Sequence, residues 1–257
     1  MRPMLERLDL RRRARAAGIH LLISAAVATF AATLVFGLWY PGFYRSAAGG
    51  TDLFLLVTGV DVVLGPLLTF AVFNLKKGWL HLRRDLAIVG LIQATALAYG
   101  LHTVFIVRPV ALAFEVDRFR IVTAASVYLP ELPKAPVPYR KLPLTGPWLL
   151  GTRTLESGDE RKEAIFMALN GVDLADRPQY WQPYSDSVPE VLAKSRPLSA
   201  LLNHDAARAP KFRDALSQMN VEVATARFMP LVGRTDWVIV LDARGTVCGH
   251  LKADGFF

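Results

Sequence analysis

Disulfide chemistry is missing from this 257-residue chain: its one cysteine, Cys248, has no partner, and no CxxC or zinc-ligand spacing occurs. A lone cysteine leaves the redox compartment open. No phosphate-binding loop, dinucleotide fingerprint, GxSxG or HExxH motif is present. No residue is therefore assigned a catalytic, cofactor-binding or metal-ligating role. Internal repeats and long low-complexity tracts are absent as well. Formal charge is missing from one long stretch, residues 19–39, IHLLISAAVATFAATLVFGLW.

What is present follows from that last absence. A membrane-spanning helix needs about 20 mostly apolar residues to cross about 30 Å of hydrocarbon. Residues 19–39 meet this, as do 53–73, which carry one carboxylate, Asp61, and 86–107. Trp39 and Tyr40 fall where an interfacial aromatic belt belongs, and Trp79 falls near the opposite face. A cleaved signal peptide would have a shorter apolar run, of about 7–15 residues. The first stretch is accordingly read as a retained span, despite a weak cleavage pattern at Ser46-Ala47-Ala48. Residues 1–107 hold 11 Lys+Arg against 5 Asp+Glu, and the remainder 19 against 17. The basic excess thus flanks the spans and carries no nucleic-acid signal.

Loop charge sets the expected orientation. Arg2, Arg7, Arg11, Arg12, Arg13 and Arg15 precede the first span, and Lys76, Lys77, Arg83 and Arg84 lie between the second and third. The loop after span one has Arg45 alone. The positive-inside rule then places the N-terminus (1–18) and the 74–85 loop in the cytoplasm. Three spans send residues 108–257 to the opposite side, the periplasm of a bacterium, with the chain in its inner membrane. Arg108, just past span three, slightly opposes this bias.

The extramembrane part reads as a small α+β domain. Residues 111–116 and 119–124 are β-rich runs around Asp117-Arg118, a hairpin pattern. Six prolines between 130 and 147 predict extended, irregular chain. Ser157 with Glu160 forms a capping-box pattern and Asn170-Gly171 a stop, predicting a helix over 158–169. Further helices are expected at 187–194 and 210–219, a strand at 221–228, and a hairpin of 237–241 with 246–252.

Asp61 is the sharpest single feature, because a carboxylate in hydrocarbon must be paired, hydrated or protonated. Tyr99 and His102 lie at similar depth in span three, so an Asp61–Tyr99–His102 cluster is feasible. Three roles stay open for Asp61: interhelical glue, contact with a partner's helix, or a step in an ion or proton path. Gly65-Pro66 predicts a kink in span two, since proline removes a backbone donor; the alternative is a hinge or recognition groove. Gly90 and Gly100 would let helices approach closely. Tyr180, Trp181 and Tyr184 form an aromatic segment, either packed over the core or exposed as a partner patch. Cys248 and His250 share a strand face, and His204 neighbours Asp205, but no third group completes a catalytic or metal constellation.

The run from Gly59 to Thr69, GVDVVLGPLLT, resembles the type IV pilin accessory proteins, the TfpX/TfpZ-like group of bacterial inner-membrane proteins. The resemblance continues through Arg84-Asp85-Leu86, Gln93 and Tyr99-Gly100 in span three, and Arg108-Pro109-Val110 beyond it. It resumes at Phe114 to Phe119, FEVDRF, at Gly171-Val172-Asp173, and at Arg177-Pro178 with Tyr180 and Tyr184. Pro230-Leu231 and the last hairpin complete it; the basic N-terminus is not part of it. The resemblance implies a helper of the major type IV pilin, supporting its stability, assembly or surface display, and no cofactor. It implies a non-enzyme and carries over no catalytic residue. The alternative reading is a membrane-anchored periplasmic enzyme that modifies pilin or envelope components. A signal sensor is a third, but the short basic loop offers no output domain.

Overall fold

The computed structural model describes residues 2–74 and 78–257, with side chains from residue 9 onward. Lys76 and Lys77 of the basic loop, and the side chains of Arg2 and Arg7, lie outside the described residues. The chain divides into two compact units: one runs to Leu38 and includes Gly50–Ile106, and the other joins Trp39–Gly49 to Val107–Phe257.

The first unit holds three helices long and apolar enough to cross a membrane. Helix α1, Arg2–Leu34, continues as a π-helical turn, Val35–Trp39. A short helix α2, Tyr44–Ala47, belongs to the second unit. Helix α3 spans Gly50–Val72 and α4 Trp79–Ile106, so the second and third helices begin earlier than their apolar runs suggest. Helix α3 packs against both α1 and α4. Its buried residues Phe54, Thr58, Gly65 and Thr69 fall near one face at helical spacing. Gly100 lets α4 close on α3, because a Cβ there would collide with the Val57 side chain. Gly90 instead borders open space. Helix α3 runs unbroken through Pro66. Only 11%, 22% and 17% of the most apolar stretch of each span is buried within the chain, leaving most of the lateral surface for lipid or other helices.

The second unit is built on an eight-stranded sheet. Strands β1 (Pro109–Glu115), β2 (Arg118–Thr123), β3 (Trp148–Thr152), β4 (Trp181–Pro183), β6 (Arg227–Val232), β7 (Trp237–Leu241) and β8 (Val247–Leu251) lie in the order β4-β3-β1-β2-β6-β7-β8. The short β5, Arg196–Pro197, pairs with β6. The β1–β3 and β2–β6 pairs are parallel and the others antiparallel. Strand β1 is buried along its whole length, as a central strand covered on both faces should be. Helices α6 (Tyr184–Lys194), α7 (Leu198–His204) and α8 (Ala209–Gln218) cover the sheet. Leu201, Phe212 and Leu216 join Phe228, Val238 and Val240 in one core cluster. Val191 joins Leu112, Phe114, Phe119 and Ile239 in another.

Helix α5, Gly158–Leu169, starts at Ser157, whose Oγ accepts from Glu160 N at 3.1 Å, and stops before Gly171 at φ 83°. Both hairpins form, the first with its two-residue turn at Val116-Asp117, one position before the expected Asp117-Arg118. The strand expected at 221–228 does not: Val221 N closes the end of α8 on the Leu216 carbonyl, and Val223 packs beside the same core from a turn. Strand β6 begins only at Arg227 and passes through Pro230. Helix α6 begins at Tyr184 rather than Ser187, so Ser187 is buried inside it. The aromatic partner patch is also corrected. Tyr180 and Trp181 are each 1% exposed, and Trp181 Nε1 donates to the Ala175 carbonyl at 2.7 Å. Tyr184 is half-buried, its hydroxyl donating to the Gly245 carbonyl at 2.6 Å. Their apolar area fills the core, and their polar tips are satisfied there.

Candidate functional site

His20, Ser24, Thr58, Asp61 and Gln93, from all three spans, line a groove of about 290 Å³ inside the first unit. Its walls are α1 and α4, and α3 contributes Thr58 and Asp61. Asp61 stands at the middle of α3, about 16 Å from either end of Gly50–Val72. His20 of α1 and Gln93 of α4 face it across the groove, with Ser24 beside them.

Three contacts hold this arrangement. His20 Nδ1 lies 2.6 Å from Thr69 Oγ1, joining α1 to α3. Gln93 Nε2 donates to the Asp61 backbone carbonyl at 3.3 Å, joining α4 to α3. Gly65 makes both approaches possible, because a Cβ there would meet the Gln93 amide and His20 Nε2. Pro66 deprives the Val62 carbonyl of its helical donor, one residue beyond the Asp61 carbonyl that the amide from α4 reaches. Thr58 satisfies itself, its hydroxyl donating to the Phe54 carbonyl at 2.7 Å.

The Asp61 carboxylate has no hydrogen bond or ion pair among the described residues. An acid at the centre of a span costs about 2.5–3.5 kcal/mol on insertion scales, and a donor from outside would offset that. The groove is open, apolar in most of its lining, and carries this acceptor with no donor assigned to it.

The Asp61–Tyr99–His102 cluster does not form. Tyr99 is 74% exposed, His102 is exposed, and neither lines the groove. Depth along the helices matches, but direction does not. Gly90, Gln93, Ala94 and Leu97 share the groove face of α4. At about 100° per residue, His102 points about 180° and Tyr99 about 120° away from Gln93. The groove residues that reasoning by depth missed, His20 and Gln93, had a signal in the sequence. They are strong hydrogen-bonding side chains within otherwise apolar helices, and Gln93 recurs at helical spacing with Gly90 and Leu97.

Elsewhere the flagged residues are placed apart from any shared chemistry. Cys248 is exposed and lies 3.5 Å from the Thr246 carbonyl, while the His250 ring stacks on Phe43 at 4.0 Å. Burial lowers the His250 pKa. His204 stacks on Phe257 at 3.7 Å, and Asp205 pairs with Arg208, which holds its carboxyl below the usual range.

Comparison with known proteins gives a consistent set of relatives. The family described as fimbrial assembly protein FimB matches residues 8–49. The serogroup I fimbrial assembly protein of Dichelobacter nodosus is 34% identical over 246 residues, 95% of this chain and 96% of its own. The serogroup E1 protein of the same organism gives the same identity and coverage. The protein of serogroups C1 and C2 is 41% identical over 122 residues, 48% of this chain and 93% of its own. No solved structure matches.

Proposed function

Because the chain belongs to the fimbrial assembly protein family, a type IV pilus accessory family, we propose that it serves pilus assembly as a helper of the major pilin in the bacterial inner membrane. It works by contact and not by catalysis. Its N-terminus faces the cytoplasm and residues 108–257 the periplasm, as the distribution of arginine and lysine between the short loops favours. A pilin awaiting assembly holds an apolar helix in lipid and a folded head outside it. A helper with three spans and an extramembrane domain can touch both parts and so support pilin stability or delivery.

The observation that carries this reading is the Asp61 carboxylate, unmatched in an open groove at mid-span. In water such a group needs no partner; in hydrocarbon it favours a helix that brings a donor. The groove is therefore where the pilin helix is held. The test is a strain lacking this gene, complemented with protein carrying a photo-crosslinker at Ala28 or Leu97, both on the groove. Loss of surface pili in the deletion, together with pilin adducts at these positions, supports the reading. Normal piliation without the gene overturns it.

A further inference from the structure

Helix α5 faces the domain with Glu160, Ala164 and Met167 and leaves its largest apolar residues outside. Glu160 receives Arg153 Nη2 at 2.7 Å and Glu163 receives Arg177 Nη2 at 2.7 Å, with the Tyr180 ring 4.7 Å from each guanidinium. No residue of α5 is buried. Ile165, Phe166 and Leu169 are 63%, 65% and 82% exposed. Ion pairs thus hold α5 on the domain while these three side chains remain uncovered, the reverse of an ordinary surface helix.

Beside α5 stands the tip of the β1–β2 hairpin. Its first turn residue is Val116, 60% exposed and at φ 53°. Hairpins of this kind normally place glycine there, and a β-branched residue in the left-handed region points to a requirement other than the turn. Between tip and helix lies a groove of about 430 Å³, lined by Val116, Leu155, Ile165 and Arg161 among others. Its other cations are matched: Arg118 by Asp117 at 2.7 Å, and Arg120 by Glu115 at 2.6 Å and Asp173 at 3.0 Å. Arg161 has no carboxylate among the described residues, only a 3.5 Å contact with the Leu155 carbonyl.

The groove is also remote from the points where this unit's chain continues into the spans. Strand β1 starts at Pro109, three residues after α4 ends, and its far end at Glu115 is about 20 Å away. Ala47 and Ala48, from the other connection, border Ile121 and Thr123 near the Pro109 end. The unmatched Arg161 guanidinium beside exposed Val116 and Ile165 is what selects the occupant, a segment carrying apolar side chains and a carboxylate.

We infer that this groove docks an extramembrane protein segment that buries aliphatic or aromatic side chains against Val116, Ile165 and Phe166 and brings a carboxylate to Arg161. That the segment belongs to the pilin head rests on the function proposed above. The experiment places a benzoyl-phenylalanine crosslinker at Phe166 of the full-length protein in piliated cells, with exposed Lys211 on α8 as the control position. A pilin adduct at 166 and none at 211 is expected. It should fall about tenfold with Arg161→Glu and with Val116→Gly, as loss of a central contact does. Val116→Gly should meanwhile leave the thermal midpoint unchanged or raised, since it relieves the turn. An adduct with lipid, with a second copy of this chain, or with nothing overturns the docking site. If the deletion strain loses its pili while Phe166 gives no pilin adduct, the docking site alone falls. Normal piliation in that strain overturns the pilin-helper function instead.

Discussion

Gly65 and Gln93 depend on one small volume: a Cβ on Gly65 would occupy the place of the Gln93 amide, whose Nε2 donates to the Asp61 carbonyl at 3.3 Å. The missing side chain on α3 thereby admits the hydrogen bond from α4. Gly59, on the same helix, has nothing within 4 Å of its Cβ direction and provides an internal control. Gly65→Ala should destabilise the detergent-solubilised protein by about 1–3 kcal/mol, the range for overpacking a fitted contact. Gly59→Ala should be neutral or mildly stabilising, through helix propensity. Thermal midpoints of the two variants side by side check this; equal behaviour would remove Gly65 from the groove's architecture.

A second prediction concerns the buried Arg177. Its side chain is 0% exposed; Nε donates to Glu131 Oε1 at 3.0 Å, and Nη2 to Glu131 at 2.5 Å and to Glu163 at 2.7 Å. Glu131 is itself 7% exposed in the side chain, whereas Glu163 is 55% exposed. Removing Glu131 leaves a guanidinium without its principal partner, so Glu131→Ala should cost about 3–5 kcal/mol. Glu163→Ala leaves that pair intact and, solvent screening considered, should cost about 1 kcal/mol or less. The double change Arg177→Met with Glu131→Leu should be milder than Glu131→Ala alone. Chemical denaturation of the three proteins would refute the ranking if Glu163→Ala proved the worst.

The third prediction is a pH effect. Burial lifts the Asp176 carboxyl from 3.8 to about 6, against the opposing hydrogen bond from Ser126 Oγ at 2.6 Å and the nearby Arg120 cation. The folded chain therefore holds this proton more tightly than the unfolded chain. The resulting stability is complete below the unfolded value of 3.8 and is lost as pH rises through about 6. Asp176→Asn keeps an acceptor for Ser126 and removes the charge. It should be more stable than the native protein by about 1–3 kcal/mol at pH 7 and indistinguishable below the unfolded pKa, since each pKa unit is worth about 1.4 kcal/mol. A difference that stayed constant across pH would show that the effect is not titration of Asp176.

Much of this architecture is legible in the sequence because its signals are local. The spans declare themselves by unbroken apolar runs, α5 by Ser157 and Gly171, and the two hairpins by alternation around Asp117-Arg118 and Asp242 to Gly245. What was not legible depends on partners far along the chain. Strand β3 pairs with β1 across more than thirty residues and β4 is three residues long, so neither has a periodicity of its own. The Tyr180–Trp181–Tyr184 segment reads as core, with a patch as the alternative, until Ala175 and Gly245 are known to receive its polar tips. In the groove, apolar runs fix depth but not direction. Asp61 was found by its charge, whereas its true neighbours required the azimuth of Gln93 and the packing of His20.

Membrane orientation gives the fourth prediction. The basic residues of the 74–85 loop and the N-terminus contrast with Arg45 alone in the loop after span one. A reporter active only in the periplasm should function when fused after Phe257 and be silent when inserted within residues 76–84. The opposite pattern would invert the orientation and place the Phe166 surface in the cytoplasm.

The last prediction separates a structural from a functional Asp61. The structural contacts in the groove run through the Asp61 backbone carbonyl and through Thr69, not through the Asp61 carboxylate. Asp61→Leu removes a group that costs about 2.5–3.5 kcal/mol at the centre of a span, so membrane abundance should hold or rise. If the carboxylate receives a donor from the pilin helix, the same variant should lose surface pili. Asp61→Asn keeps an oxygen acceptor without the charge and should retain part of the piliation if the contact is a hydrogen bond, little if it is an ion pair. Asp61→Glu, which preserves the acid one methylene farther out, should retain most of it. Measuring abundance and piliation in each strain decides the matter, because a folding defect lowers both together whereas a lost contact lowers piliation alone. Normal piliation with Asp61→Leu would mean that the pilin helix is not recognised through this acid.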